Sequence, residues 1–131
     1  MDASPLEIRD ALVGYFHNNY SGVPDEYPNV QLDDASKKST WVAFDIRFTS
    51  SETIIKGSTG TITRHRGVIF LEIYVQPLTG NRKSYEIATD LCNIMERKRI
   101  GGVVTRNAIL NEMRLADNLS VLIVEIPFLS S

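Results

Sequence analysis

The chain has 131 residues, 43% hydrophobic and 23% charged. That is the size and composition of one globular domain, and it excludes a disordered or collagen-like polymer. A net charge of −2 gives no global basic field to draw it to nucleic acid or anionic membrane, and a lone cysteine, Cys92, excludes an intrachain disulfide.

Ser4-Pro5-Leu6-Glu7 predicts a helix start. Ser4 suits the cap, Pro5 the first helical position, and Glu7 can reach back to complete a capping box. Ile8, Leu12, Tyr15 and Phe16 then line one face, so a helix is expected over residues 5–19. Residues 21–40 contain Gly22, Pro24 and Pro28 among acids and amides, and read as an acidic loop ending in Lys37-Lys38. Trp41 to Phe48 alternate as a strand, with Val42, Phe44, Ile46 and Phe48 on one face. Between residues 49 and 61, Ile54-Ile55 stand with Gly57 and Gly60 in a Ser/Thr-rich stretch, which reads as a hairpin or flexible arm. Isoleucines exposed on such an arm would need a partner to cover them.

Residues 61–76 are the most β-rich stretch. Ile69, Leu71, Ile73 and Val75 share one face, and Val68, Phe70 and Tyr74 the other, as in a central strand covered on both sides, with Gly67 a candidate bulge. After a turn at 76–80, a second helix is expected over 82–99 with Ile87, Leu91, Ile94 and Met95 as its stripe. Arg97, Lys98 and Arg99 would close it, since cations favour a helix C-terminus, and Gly101-Gly102 would stop it. Two strands, about 103–115 and 119–128, follow with Asp117-Asn118 as their turn. The expectation is a single α+β domain over 1–131, one mixed or antiparallel sheet of four to five strands on two helices, in the order α-β-β-β-α-β-β.

Chemistry is sparse in this pattern. His17 and His65 lack a neighbouring nucleophile in a recognisable motif. Asp25-Glu26 and Asp33-Asp34 are adjacent acids in a polar loop. Gly57-Ser58-Thr59-Gly60 lacks the Gly-Lys-Ser/Thr ending of a phosphate loop, and no zinc spacing occurs. The expectation is therefore no enzyme, no cofactor and no metal. The charges are uneven. Residues 1–34 carry seven acids and one base (−6), and residues 35–66 six bases and two acids (+4). Acidic Asp33 and Asp34, basic Lys37 and Lys38, and apolar Ile54 and Ile55 are accordingly candidate subunit-interface residues. Lys56, Arg64 and Arg66 form a basic group that would suit a surface facing nucleic-acid phosphates. The first residues lack a secretory pattern, and no apolar run approaches the roughly 18 residues of a membrane span, so the chain reads as made in the cytoplasm and without a membrane partner.

Arg64-His65-Arg66-Gly67-Val68-Ile69-Phe70-Leu71-Glu72-Ile73-Tyr74-Val75-Gln76-Pro77, running through Thr79-Gly80 into the helix Tyr85–Glu96, resembles the tail terminator-like proteins of tailed bacteriophages, related to minor tail protein U. The resemblance implies a virion protein of the tail and neck. It would form a homo-oligomeric ring, typically a hexamer, on the last ring of the tail tube, where it stops tube polymerisation and presents the head-joining surface. Its implied partners are the tail tube protein, a head-completion or neck protein and a sheath protein where the tail has one. Genomic DNA would pass through the central hole, which Lys56, Arg64 and Arg66 are candidates to line. Other neck roles (tail completion or head closure), a dimeric α+β binding module, and a hydrolase or nuclease using His65 are the alternatives.

Overall fold

The structure, a computed structural model, describes residues 4–22, 25–26, 40–55, 61–75, 82–114 and 120–130. At its start the Ser4 hydroxyl accepts from the Glu7 backbone N–H at 3.2 Å, and the Ser4 N–H donates to the Glu7 carboxylate at 3.3 Å. The reciprocal bonds satisfy donors that the first helical turn leaves free. Helix α1 then runs Pro5–Asn19 and buries Ile8, Leu12 and Phe16.

Strands β1 (Asp25–Glu26), β2 (Trp41–Ile55) and β3 (Thr61–Val75) precede helix α2 (Arg82–Met95). Strands β4 (Arg99–Ile100), β5 (Val103–Thr105), β6 (Ile109–Arg114) and β7 (Ser120–Ser130) follow it. Among the described residues they form one sheet in the order β1-β2-β3-β7-β5-β4, with β6 also paired to β7. All pairs are antiparallel except β1 with β2. Phe44, Leu71, Val124 and Leu110 stand in one row across β2, β3, β7 and β6. The side chains of Phe44, Leu71 and Val124 face the helices, Phe16 stacking on Phe44 with ring centres 5.0 Å apart. The Tyr15 hydroxyl donates to the Ile94 carbonyl at 2.8 Å and ties α1 to α2.

The expected α+β class and the alternation of apolar residues in β2, β3 and β7 are present. Among the described residues the sheet has seven strands rather than the expected four to five, and four further features differ. First, of the two readings of the segment after Phe48, a hairpin or a flexible arm, the antiparallel pairing agrees with the hairpin, and it extends β2 and β3 beyond their expected ends. After a bulge at Thr49, Ser50–Ile55 pairs with Thr61–Arg66 as a ribbon, of which only Arg66 also pairs with β7. Second, the bulge lies on β2 opposite Gly67, and β3 passes through Gly67 unbroken. Third, both helices pack on one sheet face. Val68, Phe70 and Tyr74 on the other face are half-buried, with no helix over them among the described residues. Fourth, α2 ends at Met95 rather than 99. Arg97 adopts a left-handed backbone (φ +52°), and the buried Thr105 hydroxyl donates to the Met95 carbonyl at 2.6 Å while accepting from the Lys98 N–H at 2.7 Å. Arg97 and Lys98 therefore stand in the turn after the helix and Arg99 begins β4, all outside the last helical turn.

The expected strand over 103–115 is two strands, with 106–108 in neither; the Arg106 N–H still bonds the Pro127 carbonyl of β7, whereas the Ala108 N–H turns to the Glu96 carboxylate. Asp25–Glu26 forms a short strand inside the expected loop. The turns expected at 76–80 and at Asp117-Asn118 lie outside the described residues.

Gly67 is required by close approach. A Cβ there would stand 2.5 Å from the Arg47 carbonyl oxygen and 2.5 Å from the Phe128 ring. Gly14, in the middle of α1, has no atom within 4 Å of that position. Gly67→Ala is expected to destabilise the fold by about 1–3 kcal/mol. Gly14→Ala should stabilise it by about 0.5–1 kcal/mol. Urea unfolding midpoints of the two variants, moving in opposite directions, check this.

Candidate assembly surfaces

Local alternation sets which groups share the open face of the sheet. Even-numbered residues of β3 point away from the helices, so Arg64 and Arg66 share a face with Val68 and Phe70. The register sets Glu52 opposite Arg64 and Ser50 opposite Arg66. Arg47 lies on the same face, its guanidinium 5.1 Å from the Phe70 ring centre and 3.6 Å from the Asp45 carboxylate. The Arg64 Nε is buried without a hydrogen-bond partner. Glu72, bonded by the Tyr74 hydroxyl, and Glu125, bonded by the Asn111 amide, belong to this face too. Its charge is therefore mixed, with three arginines interleaved among four carboxylates.

The other sequence candidates are less defined. Ile54 and Ile55 lie at the end of the ribbon, with their backbones opposite Ile62 and Thr61. Asp33, Asp34, Lys37, Lys38 and Lys56 lie outside the described residues. The His65 N–H donates to the Ser130 hydroxyl at 3.0 Å, and its ring meets Phe48 edge-on at 6.1 Å. Among the described residues no three His, Cys, Asp or Glu side chains converge to hold a metal. None of the described helices is long and apolar enough to cross a membrane.

Sequence reasoning missed the sheet edges. Beyond Val42 and Ala43, which pair with β1, the outer edge of β2 has no strand beside it among the described residues. The outer edge of β6 is likewise free. Large apolar side chains stand at both. Leu6 (64% exposed) and Phe48 (41%) flank the β2 edge, and Ile109 (55%) and Leu110 (40%) lie on β6. A groove of about 280 Å³ between α1 and β2 is lined by Leu6, Arg9, Val13, Phe44, Ile46 and Phe48. One signal for it was available. Leu6 falls roughly 200° from Ile8 around the helix, off the apolar stripe, so it had no core to enter.

No family model matches the sequence, and no curated protein matches it. Solved structures do match the fold. One that carries no functional name aligns over 94% of this chain and 95% of its own length, with a TM-score of 0.68 and 14% identity. At that identity the likeness extends to the fold alone.

Cys92 is half-buried on α2. Burial pushes its thiol pKa up, the neighbouring Glu96 carboxylate adds to the rise, and Arg97 opposes it. Less thiolate is then present at neutral pH, and the thiolate is the reactive form. Native protein should react with an aromatic disulfide reagent several-fold more slowly than urea-unfolded protein at pH 7, the rate climbing with pH. Equal rates in the two states would contradict the burial.

Proposed function

We propose that this protein is a structural ring subunit of a phage tail, a tail terminator that caps the tube and offers the head-joining surface. The observation that carries the reading is the pair of unlike sheet edges without a partner strand among the described residues, each bearing exposed apolar side chains. A two-fold dimer joins like to like and would leave the second edge bare. Head-to-tail contact uses both on every subunit and closes when the rotation allows. The resemblance around Arg64–Glu96 supplies the tail setting.

In this reading the helices face outward and the open sheet face looks into the ring. Arg64 and Arg66, with Arg47 beside them, would meet the passing phosphates. The carboxylates between them would weaken that attraction, so a polyanion slides without being held. Tube and neck proteins, and a sheath protein where the tail has one, are the partners of this role, and the ribbon at Ser50–Ile55 and Thr61–Arg66, joined to β7 only near His65 and Arg66 among the described residues, is the element suited to reach one of them.

Sedimentation velocity should find the 14.7 kDa chain in one closed oligomer, a hexamer, alone or on mixing with tail tubes. A species that stays monomeric or dimeric under both conditions would sink the reading. Arg64→Glu combined with Arg66→Glu should leave ring formation intact and lower genome delivery in a complementation assay. Unchanged delivery would remove the arginines from the lumen.

A further inference from the structure

We infer that strand β6 of one copy completes the free β2 edge of the next, antiparallel, with Leu110 opposite Phe48 and inserted into the groove beneath Leu6. The inference rests on the head-to-tail reading above and names the contact that would make it.

Length comes first. Among the described residues, the regular edge of β2 without a partner strand runs from β1 at Ala43 to the bulge at Thr49, the six positions 44–49. Strand β6, Ile109–Arg114, has six residues and a free outer edge. β2 and β6 run in opposite directions within the subunit, as follows from the antiparallel pairs β2–β3, β3–β7 and β6–β7. Rotation about an axis near the strand direction preserves those directions, so the two edges meet as an antiparallel pair.

Chemistry selects the register. Leu110 lies in the row of Phe44, Leu71 and Val124, hence on the helix-covered face, yet is 40% exposed. Continuing the sheet would put it on the same face as the neighbour's Phe44, Ile46 and Phe48, where the groove is. Leu110 opposite Phe48 places two half-exposed apolar side chains together under the exposed Leu6. The same register sets Glu112 opposite Ile46, beside Arg9. At present Arg9 bonds only the exposed Asp10 next to it, at 3.0 Å, among the ion pairs described.

Closure is an independent check. Within one subunit Leu110 lies in the row of Phe44, so meeting the neighbour's Phe48 staggers successive copies by four residues over the four strands β2, β3, β7 and β6. Four residues of about 3.3 Å across four strands spaced about 4.8 Å incline the strands by roughly 35°. Closed barrels tilt theirs by about 35–45°.

The test uses the full chain and sedimentation velocity. Leu110→Arg and Leu6→Arg should each weaken self-association about thirtyfold or more, as loss of a hot spot does, with circular dichroism unchanged because both side chains are exposed. Arg9→Glu and Glu112→Arg should each weaken it, and the two combined should restore it. If the wild type forms a ring that tolerates Leu110→Arg, and the charge swap restores nothing, this contact is wrong while the ring reading stands. If the wild type never assembles, alone or with tubes, both fall.

Discussion

Both helices of this chain lie on one side of its sheet, and the arrangement follows from a single row of contacts. Phe44, Leu71 and Val124 are fully or nearly fully buried across β2, β3 and β7, and Phe16 of α1 stacks onto the first of them. Parity then places every other residue of these strands. Shifting any strand by one position would send its buried set to the open face. The cost would be large, since each fully buried aliphatic or aromatic side chain contributes about 1.5–3 kcal/mol. The sheet is therefore fixed in register by its covered side, and what stands on the uncovered side is fixed with it. Arg47, Arg64, Arg66 and the carboxylates among them hold their positions because Ile69, Leu71 and Ile73 hold theirs.

How much of this was legible in the amino-acid order depended on how local the cause was. The Ser4–Glu7 capping box is complete within four residues and needs no tertiary information. The alternation from Val42 to Phe48 likewise states its own period. Boundaries were harder where a distant group decided them. Helix α2 stops at Met95 because Thr105, ten residues on, takes its carbonyl and leaves Arg97 left-handed. Nothing in Glu96-Arg97-Lys98-Arg99 announces that, and a run of good helix formers with terminal cations argues the opposite. Gly67 was read as a bulge, whereas its role is a close approach to Arg47 and Phe128. The bulge belongs to Thr49, whose own sequence context of Ser and Thr looks like a loop. The coverage of β3 was misjudged for a related reason. Apolar residues at Val68, Phe70 and Tyr74 say that this face wants cover, and composition cannot say whether the same chain supplies it.

The edges were the least legible part. Periodicity assigns a residue to a face and is silent on which strand lies beside it, so Ile109 and Leu110 read as ordinary strand residues. Only the topology reveals that β6 is flanked on one side. The bare edge of β2 is of the same kind. An unpaired, apolar strand edge is a hazard that single-chain proteins blunt with charge, proline or a covering loop. Here the described part of the β2 edge is blunted at one end only, by the two residues of β1. An edge regular for six positions and lined by Phe44, Ile46 and Phe48 is what the proposed neighbour strand would cover.

If copies join edge to edge as proposed, the same geometry sets the size of the hole they enclose and bears on what could pass through it. Each copy would contribute a four-strand arc. Six arcs whose strands are spaced about 4.8 Å and inclined about 35° close at roughly 45 Å across the backbone. Side chains on the inner face would narrow that opening by several ångströms on each side, leaving room for a nucleic-acid duplex. Three arcs would close at roughly half that width, a barrel nearly filled by its own lining, and mixed charges such as Arg47, Glu72 and Glu125 would then be buried against one another at a steep desolvation cost. An inner face with three arginines and four carboxylates is tolerable only where water reaches it. The charge of the open face thus argues for a wide ring over a narrow one, from residues that take no part in closing it.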